Sequence, residues 1–205
     1  MSRASWRAAA IVAAGTTAGA TLGVIARAWM RLISEDPEFS WNGTVFIVAG
    51  FSIFGFGQSA VAAARQRPDQ GRKLTLLRGF AVLTMAPLFA GGGALMLPTV
   101  LGGGLAVARR QWPPLARGLC LPIAAAPVLT VAISLIDSFG WSWRTLGAVA
   151  LMLDIYATII WATRFTFSAQ QHPHPRRRRK GVVVSLAIVA TLATLAFAVA
   201  VVGLN

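Results

Sequence analysis

Two ionisable residues stand inside long apolar runs of this sequence: Asp154 in TLGAVALMLDIYATIIWAT and Arg78 in the stretch that begins LTLLRGF. An isolated carboxylate in hydrocarbon must be neutral, paired or turned towards water, and groups so placed commonly bind a proton or cation. Asp154 falls at the middle of its run, roughly 14 Å from one end at about 1.5 Å per residue, and Arg78 about 8 Å from the same end. A long arginine side chain spans that difference, so Arg78 is the expected partner. The chemistry this pair would serve is proton or ion coupling. Two structural uses compete with it: a buried pair that only fixes helix packing, and an Arg78 that snorkels to the surface.

The segment GGGALMLPTVLGGG, residues 91–104, is the second candidate. Its two glycine triplets, Gly91, Gly92, Gly93 and Gly102, Gly103, Gly104, flank Pro98. Such a stretch makes a poor helix in water. Within a membrane, unwound backbone survives only when buried in protein or lining a wet cavity, and broken segments of this kind build many transporter sites. The competing use is close helix packing, since glycine lets backbones approach.

The third is HPHPRRRRK, residues 172–180. Arg176, Arg177, Arg178, Arg179 and Lys180 read as a topological anchor at the cytoplasmic face, reinforced by anionic lipid headgroups. Pro173 and Pro175 favour extended backbone around His172 and His174, which lack further donors for a metal. No soluble module or aromatic platform surrounds the run, so nucleic acid is not an expected partner.

Other chemistry lacks its residues. No H-E-x-x-H, G-x-S-x-G, Walker A or dinucleotide fingerprint occurs, so the chain is not expected to be an enzyme, and no cofactor or metal is expected. Cys120 is the single cysteine, so it has no intrachain disulfide partner, and its apolar neighbours make it a buried thiol.

The elements that would hold these residues are membrane spans. The 205-residue chain is 56% hydrophobic and only 12% charged, and its net charge of +13 is gathered in short clusters between uncharged runs. That pattern belongs to membrane loops, not to a basic soluble surface. Four runs of suitable length are bounded by charges: Ala8–Ala26, Gly43–Ala64, Gly118–Ile136 and Thr145–Thr163. Val182–Gly203 is a fifth. Leu74–Ala108 is long for one span and short for two.

Sidedness follows from lysine and arginine. Arg3 and Arg7, the group Arg65–Lys73, the group Arg109–Arg117 and the run Arg176–Lys180 all read as cytoplasmic. Leu74–Ala108 must then cross twice or dip in and return, with Gly91–Gly93 as the turn. The expected fold is an all-α integral membrane protein: one polytopic helical bundle of seven segments, about 8–26, 43–64, 74–90, 94–108, 118–136, 145–163 and 182–203. The N-terminus is inside, the C-terminus outside, and residues 164–181 form a cytoplasmic basic tether. The alternative is six spans, with Leu74–Ala108 crossing once. Tryptophan agrees with seven: Trp6, Trp112 and Trp161 fall at inner ends, and Trp29, Trp41, Trp141 and Trp143 at outer ends. Ala26-Arg27-Ala28 has the form of a signal cleavage site, but the preceding apolar run is long for one, so an uncleaved anchor is expected.

Gly15, Gly19 and Gly23 repeat every four residues and mark a packing face on the first span, towards another helix of the bundle or towards a second protomer or membrane partner. Glu35, Asp36 and Glu38 with Pro37 read as the capped lead into the second span. The Ala-, Gly- and Arg-rich composition resembles bacterial proteins, so a multi-pass protein of a bacterial cytoplasmic membrane is expected. Two function classes stay open. One is a transporter-like or ion-coupled protein using Asp154, Arg78 and the glycine-rich segment. The other is a non-catalytic scaffold or accessory subunit assembling through its glycine faces.

Overall fold

The computed structural model describes residues 3–34, 40–66 and 71–168. The run Arg176–Lys180, the stretch Val182–Gly203 and the acidic group Glu35, Asp36 and Glu38 lie outside the described residues. Every described element is helical: α1 (Arg3–Leu32), α2 (Trp41–Ala64), α3 (Gly71–Leu83), α4 (Leu97–Ala108), α5 (Pro114–Phe139) and α6 (Trp143–Phe167). Two short 3-10 turns, Ala86–Phe89 and Gly91–Met96, join α3 to α4. Four helices, α1, α2, α5 and α6, are long and apolar enough to cross a bilayer. All but α2 run several residues past their apolar stretches, because helical backbone bonding does not stop where the side chains become polar.

The outside is apolar and the inside holds polar groups. Leu115 is 79% exposed, Leu83 71% and Leu119 62%, while Gln58, Thr99, Thr145, Thr163 and Thr166 are buried. A continuous apolar exterior of this extent would associate in water and is what lipid-facing helices require. The core is built from Ile25, Phe54, Val100, Leu151, Ile155 and Ile159.

α1 lies along α2 over most of its length. Gly15, Gly19 and Gly23 make this seam: a Cβ on Gly19 would collide with the Phe51 carbonyl, and one on Gly55 with the Gly15 carbonyl. The two backbones therefore touch through glycine on both sides. The packing face read from the sequence is filled from within the chain.

Polar contacts define two ends. At one, Arg144 of α6 donates twice to the Leu32 carbonyl at 3.0 and 2.8 Å, Trp29 Nε1 donates to the Ala148 carbonyl at 2.8 Å, and Arg27 donates to Thr44 Oγ1 at 3.1 Å. At the other, Arg65 and Arg78 both donate to the Ser168 carbonyl, at 2.5 and 2.6 Å. The Arg109 charge acts on Arg78, and the Arg110 charge on Arg164. Both flanks of Leu74–Ala108 therefore lie at one end of the bundle. The stretch enters there as α3 along α2, turns, and leaves as α4 between α5 and α6.

The turn differs in place from the one expected at Gly91–Gly93. The α-helix already ends at Leu83: Thr84 N makes the last four-residue bond, to the Phe80 carbonyl at 2.9 Å, Met85 N donates to the Val82 carbonyl at 3.0 Å, three residues back, and Pro87 then sits in the first turn of a 3-10 segment. Proline lacks the N–H that would continue an α-helix, so the break begins before the glycines. It ends at Pro98, which stands in the first turn of α4, where a missing N–H costs nothing.

Candidate functional site

α6 carries Asp154 as the twelfth of its 25 residues, so the carboxylate sits halfway along a helix long enough to span. The helix forms from Leu, Ile, Ala and Val runs and is capped at its start by Ser142 Oγ, which accepts from Thr145 N at 3.1 Å. Asp154 is half-buried, and its Oδ2 is enclosed without a hydrogen-bond partner among the described residues. It shares one stripe of α6 with Thr158, Trp161 and Phe165. Phe165 packs on the Val61, Leu74 and Ala81 cluster, so this stripe faces α2 and α3.

Arg78 does not reach Asp154. Its guanidinium donates to the Ser168 carbonyl at 2.6 Å, and Ser168 lies fourteen residues beyond Asp154. At about 1.5 Å per residue the two groups are separated by roughly 21 Å along the helix axis. The flank of α6 suits the pair and the depth does not. Residues Arg164–Phe167 continue α6 beyond its apolar run, and the carbonyls they bring to the helix end attract cations. Arg78 is thus a C-terminal cap of α6, together with Arg65. Burial, and then the neighbouring Arg78 charge, pull the Arg65 guanidinium down to about 10, so it still carries its charge at neutral pH.

The two glycine triplets have separate roles. Gly102 abuts the Cys120 carbonyl of α5, Gly103 meets Ile160 of α6, and Gly104 meets Thr163 and Phe167. All three let α4 settle into the groove between α5 and α6, which is packing. Gly91, Gly92 and Gly93 lie in the 3-10 segment, where a Cβ on Gly93 would collide with the Leu88 carbonyl. They tighten the break. Cys120 is half-buried and free.

One polar group escaped the reading of the sequence. Gln58, the only amide in the apolar run of α2, is buried where α2, α3 and α6 meet. Its Nε2 donates to the Ala81 carbonyl at 3.3 Å, and its Oε1 accepts from Thr166 Oγ1 at 2.7 Å. Met85 N, the helical donor for Ala81, has turned to Val82, so the carbonyl is free for Gln58 and for Thr84 Oγ1 at 2.8 Å. The amide thereby pins the start of the break to both long helices. A lone Gln in an apolar span was the available signal.

The described residues hold no cluster of three metal-ligating side chains. His172 and His174 lie outside them. Comparison with protein-family models, with curated proteins and with solved structures gives no match, so the site rests on its own residues.

Proposed function

We propose that the chain is a small multi-pass protein of a bacterial cytoplasmic membrane that couples its activity to binding of a proton or small cation at Asp154. The observation that carries the reading is the enclosed, unpartnered Oδ2 halfway along α6. An ionised carboxylate in that position costs several kcal/mol unless something neutralises it. Its charge state is therefore tied to whatever reaches it: a proton, a cation or water. The interrupted backbone between Thr84 and Met96 supports the same reading, since broken segments bring freed carbonyls into a bilayer-embedded bundle.

Sidedness follows the positive charge. The end carrying Arg65, Arg78, Arg109, Arg110 and Arg164 is cytoplasmic on this reading, and Arg27, Arg31 and Arg144 mark the outer end. Counting α3 and α4 as two half-crossings and Val182–Gly203 as a final span gives seven segments, with the N-terminus inside and the C-terminus outside. A scaffold assembled through the first span loses support, because α2 occupies the glycine face of α1.

The test is flux. Proteoliposomes holding the purified chain and a pH-sensitive dye should equilibrate an imposed proton or sodium gradient, and Asp154→Asn should abolish this while keeping the same elution profile and helicity. Flux unchanged in Asp154→Asn would remove the residue from the mechanism.

A further inference from the structure

Two arginines meet at the end of α6, and a third, Arg109, lies close enough for its charge to act on Arg78. Arg65 follows α2, Arg78 lies in α3 and Arg109 follows α4. Arg65 and Arg78 share one acceptor, the Ser168 carbonyl, at 2.5 and 2.6 Å. The Nε atoms of Arg65, Arg78 and Arg109 are all enclosed and have no acceptor among the described residues. The α6 terminus offers only about half a negative charge to three guanidinium groups. The carboxylates among the described residues are elsewhere: Asp137 is at the far end of α5, and Asp154 is fourteen residues short of Ser168. The cluster has more donors and more positive charge than its surroundings satisfy, a state that calls for an anion.

The shape of the surroundings narrows the anion. Guanidinium forks match phosphate oxygens, to which they donate in pairs. On α3, beside Arg78, Leu76, Phe80 and Leu83 are 69%, 43% and 71% exposed. Trp112 lies 6.0 Å from the Arg109 guanidinium carbon. A ligand here meets positive charge at the bundle end and apolar surface immediately beside it. We infer that Arg65, Arg78 and Arg109 form a binding site for the phosphate of an anionic phospholipid, whose acyl chains lie along α3. None of its three arginines belongs to the run Arg176–Lys180, which lies outside the described residues. It rests on the bilayer-embedded architecture and not on Asp154, so the outcome of the flux experiment does not bear on it.

Arg109→Gln is the variant of choice, because Arg65 and Arg78 cap α6 whereas the Arg109 side chain donates to no backbone carbonyl among the described residues. Arg117→Gln, an exposed arginine of the same end, removes an equal charge from outside the cluster. Thermal unfolding of the full chain in a neutral detergent is followed while phosphatidylglycerol, phosphatidylcholine or inorganic phosphate is added. Phosphatidylglycerol should raise the unfolding temperature and phosphatidylcholine should not. Arg109→Gln should weaken the apparent lipid affinity about tenfold, the weight of one charge-assisted hydrogen bond, and Arg117→Gln should leave it unchanged. If Arg109→Gln does not fold, Arg109→Lys, which keeps the charge and loses the fork, should show a smaller fall. Equal shifts with both lipids, equal losses in the two Gln variants, or no loss in either would overturn the site. A shift with inorganic phosphate and none with lipid would overturn the lipid assignment. Asp69, the acidic residue between Arg65 and Arg72, lies outside the described residues. A lipid shift seen only in Asp69→Asn would mean that this carboxylate neutralises the cluster, and would overturn the proposal.

Discussion

Thr166 Oγ1 donates to Gln58 Oε1 at 2.7 Å, and this bond ties the last turn of α6 to the third quarter of α2. The amide's other end holds the Ala81 carbonyl, so one buried side chain joins both long helices to the start of the break. Thr166→Val leaves Oε1 buried without a donor and should cost about 1–3 kcal/mol. Adding Gln58→Leu removes the stranded group, so the double variant should be less unstable than the two single costs summed. A thermal-unfolding double-variant cycle measures this. Additive costs would mean that the bond does not form.

Arg78 and Asp154 should behave as strangers. Groups about 21 Å apart along a helix share no partner, and their effects should add within about 0.5 kcal/mol. Arg78→Gln should lower stability by about 1 kcal/mol through lost capping of α6. The same loss should appear in the Asp154→Asn background. A coupling well above that limit would mean that the two groups pair.

Glycine substitutions separate the seam from the open face. Gly19→Ala drives a methyl group into the Phe51 carbonyl and should cost about 1–3 kcal/mol or more. Gly79, in α3, has nothing within 4 Å of its Cβ direction, so Gly79→Ala should be neutral or stabilise by up to about 1 kcal/mol. The unfolding temperature in detergent should fall in Gly19→Ala and hold or rise in Gly79→Ala. A parallel fall would contradict the packing described for α1 and α2.

The four long helices were legible because apolar runs bounded by charge have no other stable arrangement in a bilayer. The return of Leu74–Ala108 to its starting end was legible in its basic flanks. Three things were not. The Arg78 acceptor depended on α6 continuing through Arg164–Phe167, past the charge at Arg164 where the apolar run was read to end. The break began at Thr84 because of Pro87, a signal present in the sequence but outweighed there by the glycines. The two glycine triplets have the same composition. Only what lies opposite, Leu88 for Gly91–Gly93 and Ile160 and Thr163 for Gly102–Gly104, decides that the first bends and the second packs.

The same-end placement of α3 and α4 has a direct chemical test. In a Cys120→Ser background, single cysteines at Gln70 and Gln111 should both resist a membrane-impermeant thiol reagent applied from outside, and both react once the membrane is opened. Labelling at Gln111 alone would mean a single crossing. Labelling at both would reverse the proposed sidedness.

Asp154 is proposed to bind the coupling ion. The most direct measurement is dye-reported proton and sodium flux into proteoliposomes of the parent chain, Asp154→Asn and Asp154→Glu. The parent should show flux, Asp154→Asn should lose at least about tenfold and Asp154→Glu should keep part of it, with all three eluting as the same folded species. Absence of flux in every sample, or equal flux in the parent and Asp154→Asn, would contradict it. The carboxylate would then be a structural feature of α6.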